Sequence, residues 1–301
     1  MEKALKEFSR YDRLPKGETD DKLIPGCLIL EGGGWRGLYT QGVLDAMMEE
    51  GIRLQTVIGV SAGAMSSLTY ASGQIGLSAG INLKYRHDPD YCGLGALRSD
   101  HGFTGFRYFF KKILPECGYD WQRIPAEMRL VAVAANCFTG EAEYFEYGSC
   151  HFEKAVAASA TVPFFSRPVV IRQVPYLDGG CADRVPYEWA LREGYEKIVV
   201  VRTRHKEYRK KADGGKKANA AFYWYYPNLR RALDSSAERY NACLDRLYRD
   251  ESEGLVYVQT PEEPVHVRRF EGDMEKLGGL YETGYREMKE RMPDLKRYLF
   301  V

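Results

Sequence analysis

No apolar run in the 301-residue chain approaches the ~20 residues that a membrane-spanning helix needs. An excess of charge is also lacking. The 43 lysines and arginines against 42 aspartates and glutamates leave +1, which argues against a wholly basic nucleic-acid-binding surface, and no nucleic-acid partner is expected. Neither a CxxC pair nor an internal repeat is present, which speaks against zinc ribbons, thioredoxin-like motifs and solenoids. The cysteines number seven, an odd and scattered set: Cys27, Cys92, Cys117, Cys137, Cys150, Cys181 and Cys243. That fits a reducing cytosol better than a disulfide scaffold. Residues 1–7 mix charges of both signs and do not read as a signal peptide. A soluble, cytoplasmic protein is expected, with peripheral membrane contact left open and the oligomeric state not readable.

Apolar residues make up 45% of the chain, enough for a buried core. Residues 1–25 read as an N-terminal arm. Buried strands are expected at 27–30 and 56–60, each followed by a helix, at 38–50 and 62–72. This alternation argues for an α/β fold with a mainly parallel sheet. Further strands are expected at 129–136, 141–147, 169–171, 175–177 and 197–201, with helices at 151–160 and 186–193, the latter starting on proline. Beyond residue 205 the texture changes. A stretch rich in lysine and arginine (202–217) precedes an aromatic-rich helical segment (222–250), a lone strand (255–259) and a helix (271–291). The expected division is 1–25, 26–205 and a mostly helical appendage, 206–301.

Two glycine motifs and one acid turn carry the chemistry. Gly32-Gly33-Gly34-Trp35-Arg36-Gly37 follows the first strand and opens a helix, matching G-x-G-x-x-G. A dinucleotide site would want an acid ending the second strand, where Gly59-Val60-Ser61 stands instead. Main-chain amides of such a loop, at a helix N-terminus, also suit an oxyanion hole. Gly59-Val60-Ser61-Ala62-Gly63 matches G-x-S-x-G between a strand and a small-residue helix, the setting of a nucleophile elbow. A plain serine N-cap is the alternative for Ser61.

A nucleophilic serine needs a base. Of five histidines, only His205 and His266 lie late enough in the chain for a Ser–Asp–His order, and neither has a persuasive setting. Asp178-Gly179-Gly180 ends a strand and exposes a carboxylate at a tight turn, although an ordinary Asp-Gly turn would look the same. An aspartate near its usual pKa of ~3.9 is a weak base unless partly desolvated.

Together the three motifs resemble the patatin-like phospholipase family, whose members carry a G-G-G-x-R-G loop, a G-x-S-x-G elbow and a D-G-[AG] turn in this order. A fourth block, residues 158–164, is similar to the family's A-S-x-A-x-P-x-x-F segment. The resemblance covers about residues 26–205, and the remainder looks like the C-terminal region of bacterial members. It implies a three-layer patatin-like fold and an acyl-ester hydrolase acting on lipids without metal or cofactor. It also implies Ser61 as nucleophile and Asp178 as base, with Gly33 and Gly34 amides at the oxyanion beside Gly32 and Gly37, and Arg36 holding the loop. Gly59, Gly63, Gly179 and Gly180 are its motif glycines. A lipid or ester substrate is expected. A histidine-triad esterase and a nucleotide-binding or non-catalytic protein are the alternatives. Phe222-Tyr223-Trp224-Tyr225-Tyr226 beside the basic stretch suggests contact with anionic lipid, against the plainer reading of a solvated loop and a packed helix.

Overall fold

Along each central strand the side chains alternate between two apolar faces, as a sheet covered on both sides requires. Leu28, Leu30, Val57, Leu130, Ala132, Val199 and Val201 face one core. Cys27, Ile29, Ile58, Val131, Val133, Ile198 and Val200 face the other. Each fully buried Val, Leu or Ile contributes ~1.5–3 kcal/mol, so the sheet anchors the fold. The computed structural model describes residues 6–149, 151–211 and 215–301. The start of the arm (1–5), Cys150 and residues 212–214 of the basic stretch lie outside the described residues.

The sheet is built from β1 (Ile24–Leu30), β2 (Leu54–Val60), β3 (Arg129–Asn136), β4 (Ala142–Glu146), β5 (Val169–Ile171), β6 (Val174–Asp178), β7 (Ile198–Val201) and β8 (Tyr257–Gln259). Their order is β8-β7-β1-β2-β3-β6-β5, with β4 also paired to β3. Pairing is parallel from β8 through β3 and antiparallel among β3, β4, β5 and β6. The expected mainly parallel three-layer α/β architecture is present. The helices used below are α1 (Gly37–Glu49), α2 (Ala62–Ala71), α3 (Phe152–Ser159), α4 (Tyr187–Arg192), α5 (Ser236–Ser252) and α6 (Met274–Phe300).

Several elements depart from the sequence expectation. The strand read as lone, 255–259, is the parallel edge strand β8, with Tyr257, Val258 and Gln259 opposite Val199, Val200 and Val201. A three-residue strand with a distant partner carries little local signal of its pairing. The last helix does not stop before Pro293 but runs through it to Phe300, because Leu295 and Leu299 are buried and offset the hydrogen bond that proline removes. Pro186 is an N-cap instead of the first helical residue. The stretch read as helical from 222 to 250 is three helices, Lys216–Phe222, Pro227–Asp234 and α5.

The two long C-terminal helices lie on opposite faces of the sheet. Tyr240, Leu244 and Leu247 of α5 join one core, and Leu277, Met288 and Leu295 of α6 join the other. The helix α6 crosses α1 at close range. A Cβ on Gly42 would sit 2.1 Å from the Tyr281 carbonyl oxygen, and one on Gly284 would sit 2.1 Å from that of Tyr39. Asp45 of α1 closes the contact by accepting the Tyr281 hydroxyl at 2.9 Å.

Candidate active site

Strand register brings the two distant motifs together. On β3, Val133 lies opposite Val60, and the next residue, Ala134, lies opposite Asp178. The end of β2 and the end of the antiparallel β6 therefore meet one ladder position apart. Ser61 follows Val60 at the strand-to-helix turn with φ 57° and ψ −122°, a conformation that costs a non-glycine residue about 1–3 kcal/mol. The turn closes because residue 63 has no side chain: a Cβ there would lie 2.3 Å from the Leu30 carbonyl oxygen.

Ser61 occupies the N-cap position of α2, yet its side chain makes no capping hydrogen bond. Its Oγ instead donates to Asp178 Oδ2 at 2.7 Å. The other carboxylate oxygen, Oδ1, accepts the Gly180 N–H at 2.8 Å. This is the local turn expected of Asp-Gly, and it leaves one oxygen of Asp178 for Ser61. Burial pushes the Asp178 carboxyl above its ordinary range. The Ser61 hydroxyl, the Gly180 N–H and the fields of Arg269 and Arg184 oppose that rise without cancelling it.

The C-terminal end of α3 ties the pair from below. Ser159 Oγ, fully buried, accepts the Ser61 N–H at 2.8 Å. Two residues on, the Thr161 carbonyl accepts the Asp178 N–H at 2.9 Å. The sequence marked this block only through its resemblance to a family segment. These two bonds to the site had no sequence signal.

Gly32, Gly33, Gly34, Arg36, Ser61, Asp178 and Gly180 line one cleft. The remaining motif glycines serve close packing behind it: Gly37 against Ala62, Gly59 against Ala64 and Gly63, Gly179 against the Val133 carbonyl. Among the described residues no acceptor takes the N–H of Gly32, Gly33 or Gly34. Gly34 has φ +57°, and a Cβ on Gly32 would sit 2.9 Å from Ser61 Cβ, so the loop abuts the elbow directly. Among the described residues no histidine lines the cleft. His266 is exposed, and His205 lies against Tyr208. Among the described residues no cluster of His, Cys, Asp and Glu suited to a metal is present.

A second pocket opens from the same serine. It shares Gly34, Ser61, Val162 and Arg269 with the cleft, and it is walled by Trp35, Leu38, Met65, Tyr91, Phe103 and Phe270. Around the mouth Phe164 and Phe165 are partly exposed. Phe222, Trp224 and Tyr225, read from sequence as a lipid-contact stretch or a packed helix, are at least 64% exposed, while Tyr223 is buried. No helix among the described residues is long and apolar enough to cross a membrane. Arg184 and Arg269, which also line the cleft, belong to no motif and were not legible in the sequence.

A family model described as patatin-like phospholipase matches residues 28–191. A second, described as a domain of unknown function (DUF6363), matches residues 226–300. The chain is 28% identical over 194 residues to the uncharacterized protein YjjU of Escherichia coli (strain K12), an overlap of 59% of the chain and 51% of that protein. It thus matches about half the length of that relative. Among solved structures, VipD from Legionella pneumophila aligns with a TM-score of 0.47 at 13% identity, over 99% of the chain and 72% of VipD. The type III effector protein ExoU aligns with a TM-score of 0.40 at 14% identity, over 94% of the chain and 54% of ExoU. Both alignments are too loose to carry functional weight.

Proposed function

The chain belongs to the patatin-like phospholipase family, and from that premise we propose that it hydrolyses acyl esters of lipids with Ser61 as nucleophile and Asp178 as its base. The observation that carries the reading is the 2.7 Å hydrogen bond from Ser61 Oγ to Asp178 Oδ2. In the proposed reaction Oγ attacks the ester carbonyl as its proton passes to Asp178. The tetrahedral oxyanion is met by the free amides of Gly33 and Gly34, with those of Gly32 and the helix start beside them. One such donor is worth ~3 kcal/mol in other serine hydrolases. Asp178 then returns the proton to the departing alcohol, and the acyl group stays on Ser61. A water attacks the acyl-enzyme while Asp178 takes its proton, the acid leaves, and the Ser61 hydroxyl is restored.

The raised proton affinity of Asp178 supports this role, since a desolvated carboxylate is a better base than an exposed one. The apolar pocket beside Ser61 is the proposed site for the acyl chain. We further propose that residues 26–205 carry the chemistry and that 206–301 complete its surroundings. The exposed rings of Phe222, Trp224 and Tyr225 are the proposed contact with a membrane surface, in keeping with the preference of aromatic rings for the interface. The odd cysteine count makes the cytoplasm the proposed compartment.

Hydrolysis of p-nitrophenyl butyrate by four proteins tests the reading. Ser61→Ala and Asp178→Asn should each lose at least about a thousand-fold in kcat/KM, and the double variant His205→Ala/His266→Ala should match wild type. Loss of activity in the histidine variant would favour a triad esterase. Saturable dinucleotide binding by a protein without esterase activity would favour the nucleotide-binding alternative.

A further inference from the structure

Three arginines converge on the cleft beside Ser61, and among the described residues none of them has a salt-bridge partner. Arg36, Arg184 and Arg269 all line it, and among the described residues its one lining carboxylate is Asp178, already engaged by Ser61 and Gly180. Arg36 is 5% exposed, and among the described residues its Nε has no hydrogen-bond partner. Its guanidinium is pushed down to about 10, by burial first and then by Arg204 and Arg269, with Glu31 opposing and Arg184 adding a smaller push. The Arg184 guanidinium lies over the Tyr240 ring, 5.3 Å from its centre, with Nε 3.6 Å from the position of a Cβ on Gly180. The Arg269 side chain passes 3.2 Å from the equivalent point on Gly34.

Like charges around one cleft repel, and burial of the Arg36 guanidinium adds to the cost, whereas Arg184 is half-buried and Arg269 exposed. An anion seated among them removes both penalties. Arginine forks suit a phosphate in particular, because they offer paired donors to its oxygens. The apolar pocket also opens at Ser61 and shares Gly34, Val162 and Arg269 with the cleft, while Arg36 and Arg184 line the cleft and not the pocket. An ester held at Ser61 would then have its acyl chain toward Trp35, Leu38 and Met65 and its alcohol half toward the arginines.

We propose that Arg184 and Arg269, backed by Arg36, form an anion subsite for the alcohol half of the substrate, so that the enzyme selects acyl esters with a phosphate-bearing, net anionic headgroup. This rests on the hydrolase reading given above. The arginines are specificity-determining residues: they touch the leaving half of the substrate and leave the ester chemistry to Ser61 and Asp178.

Soluble substrates with one acyl chain separate this subsite from membrane binding. Octanoyl glycerophosphate, octanoyl glycerophosphocholine and octanoylglycerol are compared by kcat and KM. Wild type should prefer the glycerophosphate by about ten-fold or more in kcat/KM, mainly through KM. Arg184→Gln/Arg269→Gln should reduce that preference to within about two-fold, and Arg184→Lys/Arg269→Lys should restore part of it. No preference in wild type, or a preference that survives the glutamine pair, overturns the proposal. Calorimetry on Ser61→Ala identifies the source of the anion without turnover. Octyl phosphate binding at least about ten-fold tighter than inorganic phosphate supports a lipid headgroup, and equal binding overturns it. Absence of Ser61-dependent hydrolysis of all three esters would instead sink the hydrolase reading, and the calorimetric arm would still decide the subsite.

Discussion

Tyr240, on a helix near the C-terminus, donates its hydroxyl at 2.5 Å to Glu31, the residue that leads into the glycine loop. Both are buried. The other Glu31 oxygen accepts the Thr203 N–H at 2.8 Å and lies 3.7 Å from Arg202 Nε, and Arg202 Nη2 donates to the Tyr240 oxygen at 2.9 Å. The last third of the chain is thereby bonded to the segment from which the proposed oxyanion donors project.

Tyr240→Phe leaves a buried carboxylate oxygen of Glu31 without its donor, a loss of roughly 1.5–3 kcal/mol for a hydrogen bond to a charged group. Thermal unfolding should shift down accordingly. If the bond also positions the loop, kcat for a soluble ester should fall well below wild type while KM changes little, at temperatures where both proteins are folded. A lowered melting temperature with unchanged kcat would make Tyr240 merely structural.

In the proposed reaction Asp178 must be a carboxylate to accept the Ser61 proton. Its proton affinity is raised in the folded protein, so activity should disappear as pH falls through a value above the ~3.9 of an exposed aspartate. The acid limb of a kcat/KM profile reads this directly. For stability the sign is opposite. A carboxyl whose folded pKa is raised favours folding at low pH, and that contribution is lost as pH rises from the unfolded pKa through the folded one. Asp178→Asn should therefore abolish activity at neutral pH without lowering the unfolding temperature.

Ser159 accepts the Ser61 N–H from within the core. Ser159→Ala orphans that amide, at a cost of about 1–3 kcal/mol, at the residue whose backbone is already strained. Slower phosphonylation of Ser61 at a temperature below the unfolding transition is the expected result, measured as the pseudo-first-order rate with a fluorophosphonate.

Asp45 provides a second pH signature, away from the active site. Burial pushes its carboxyl up to about 7, against the Gly76 N–H and Tyr281 hydroxyl that favour the charged form. Its contribution to stability is present below the unfolded value and is lost as pH rises toward 7. Asp45→Asn should be more stable than wild type at pH 8, by an amount on the order of 2–4 kcal/mol, and close to it at pH 4. Denaturant unfolding at the two pH values measures the difference.

What the sequence revealed was local. The apolar runs that became β1, β2, β3 and β7, and the glycine motifs at their ends, are contiguous patterns, and their elements fall within a few residues of the expected bounds. What it concealed depends on distant partners. The edge strand Tyr257–Gln259 is too short to declare its pairing with β7. Residues 77–123 fold into short helices, one with π-helical geometry at Phe109–Ile113, and display no usable periodicity. Arg269 reaches the cleft from a loop that no motif marks. The pairing of Ser61 with Asp178 was suggested by family resemblance, whereas its physical cause is the adjacent register of Val133 and Ala134 on β3.

The most direct test is to locate the adduct after exposure to a fluorophosphonate, by peptide mass spectrometry on wild type and on Asp178→Asn. Phosphonylation of Ser61 alone in wild type, slowed at least about a hundred-fold in Asp178→Asn, is the result the account predicts. Modification of a different serine, or labelling of Ser61 at the wild-type rate once Asp178 is asparagine, would contradict it.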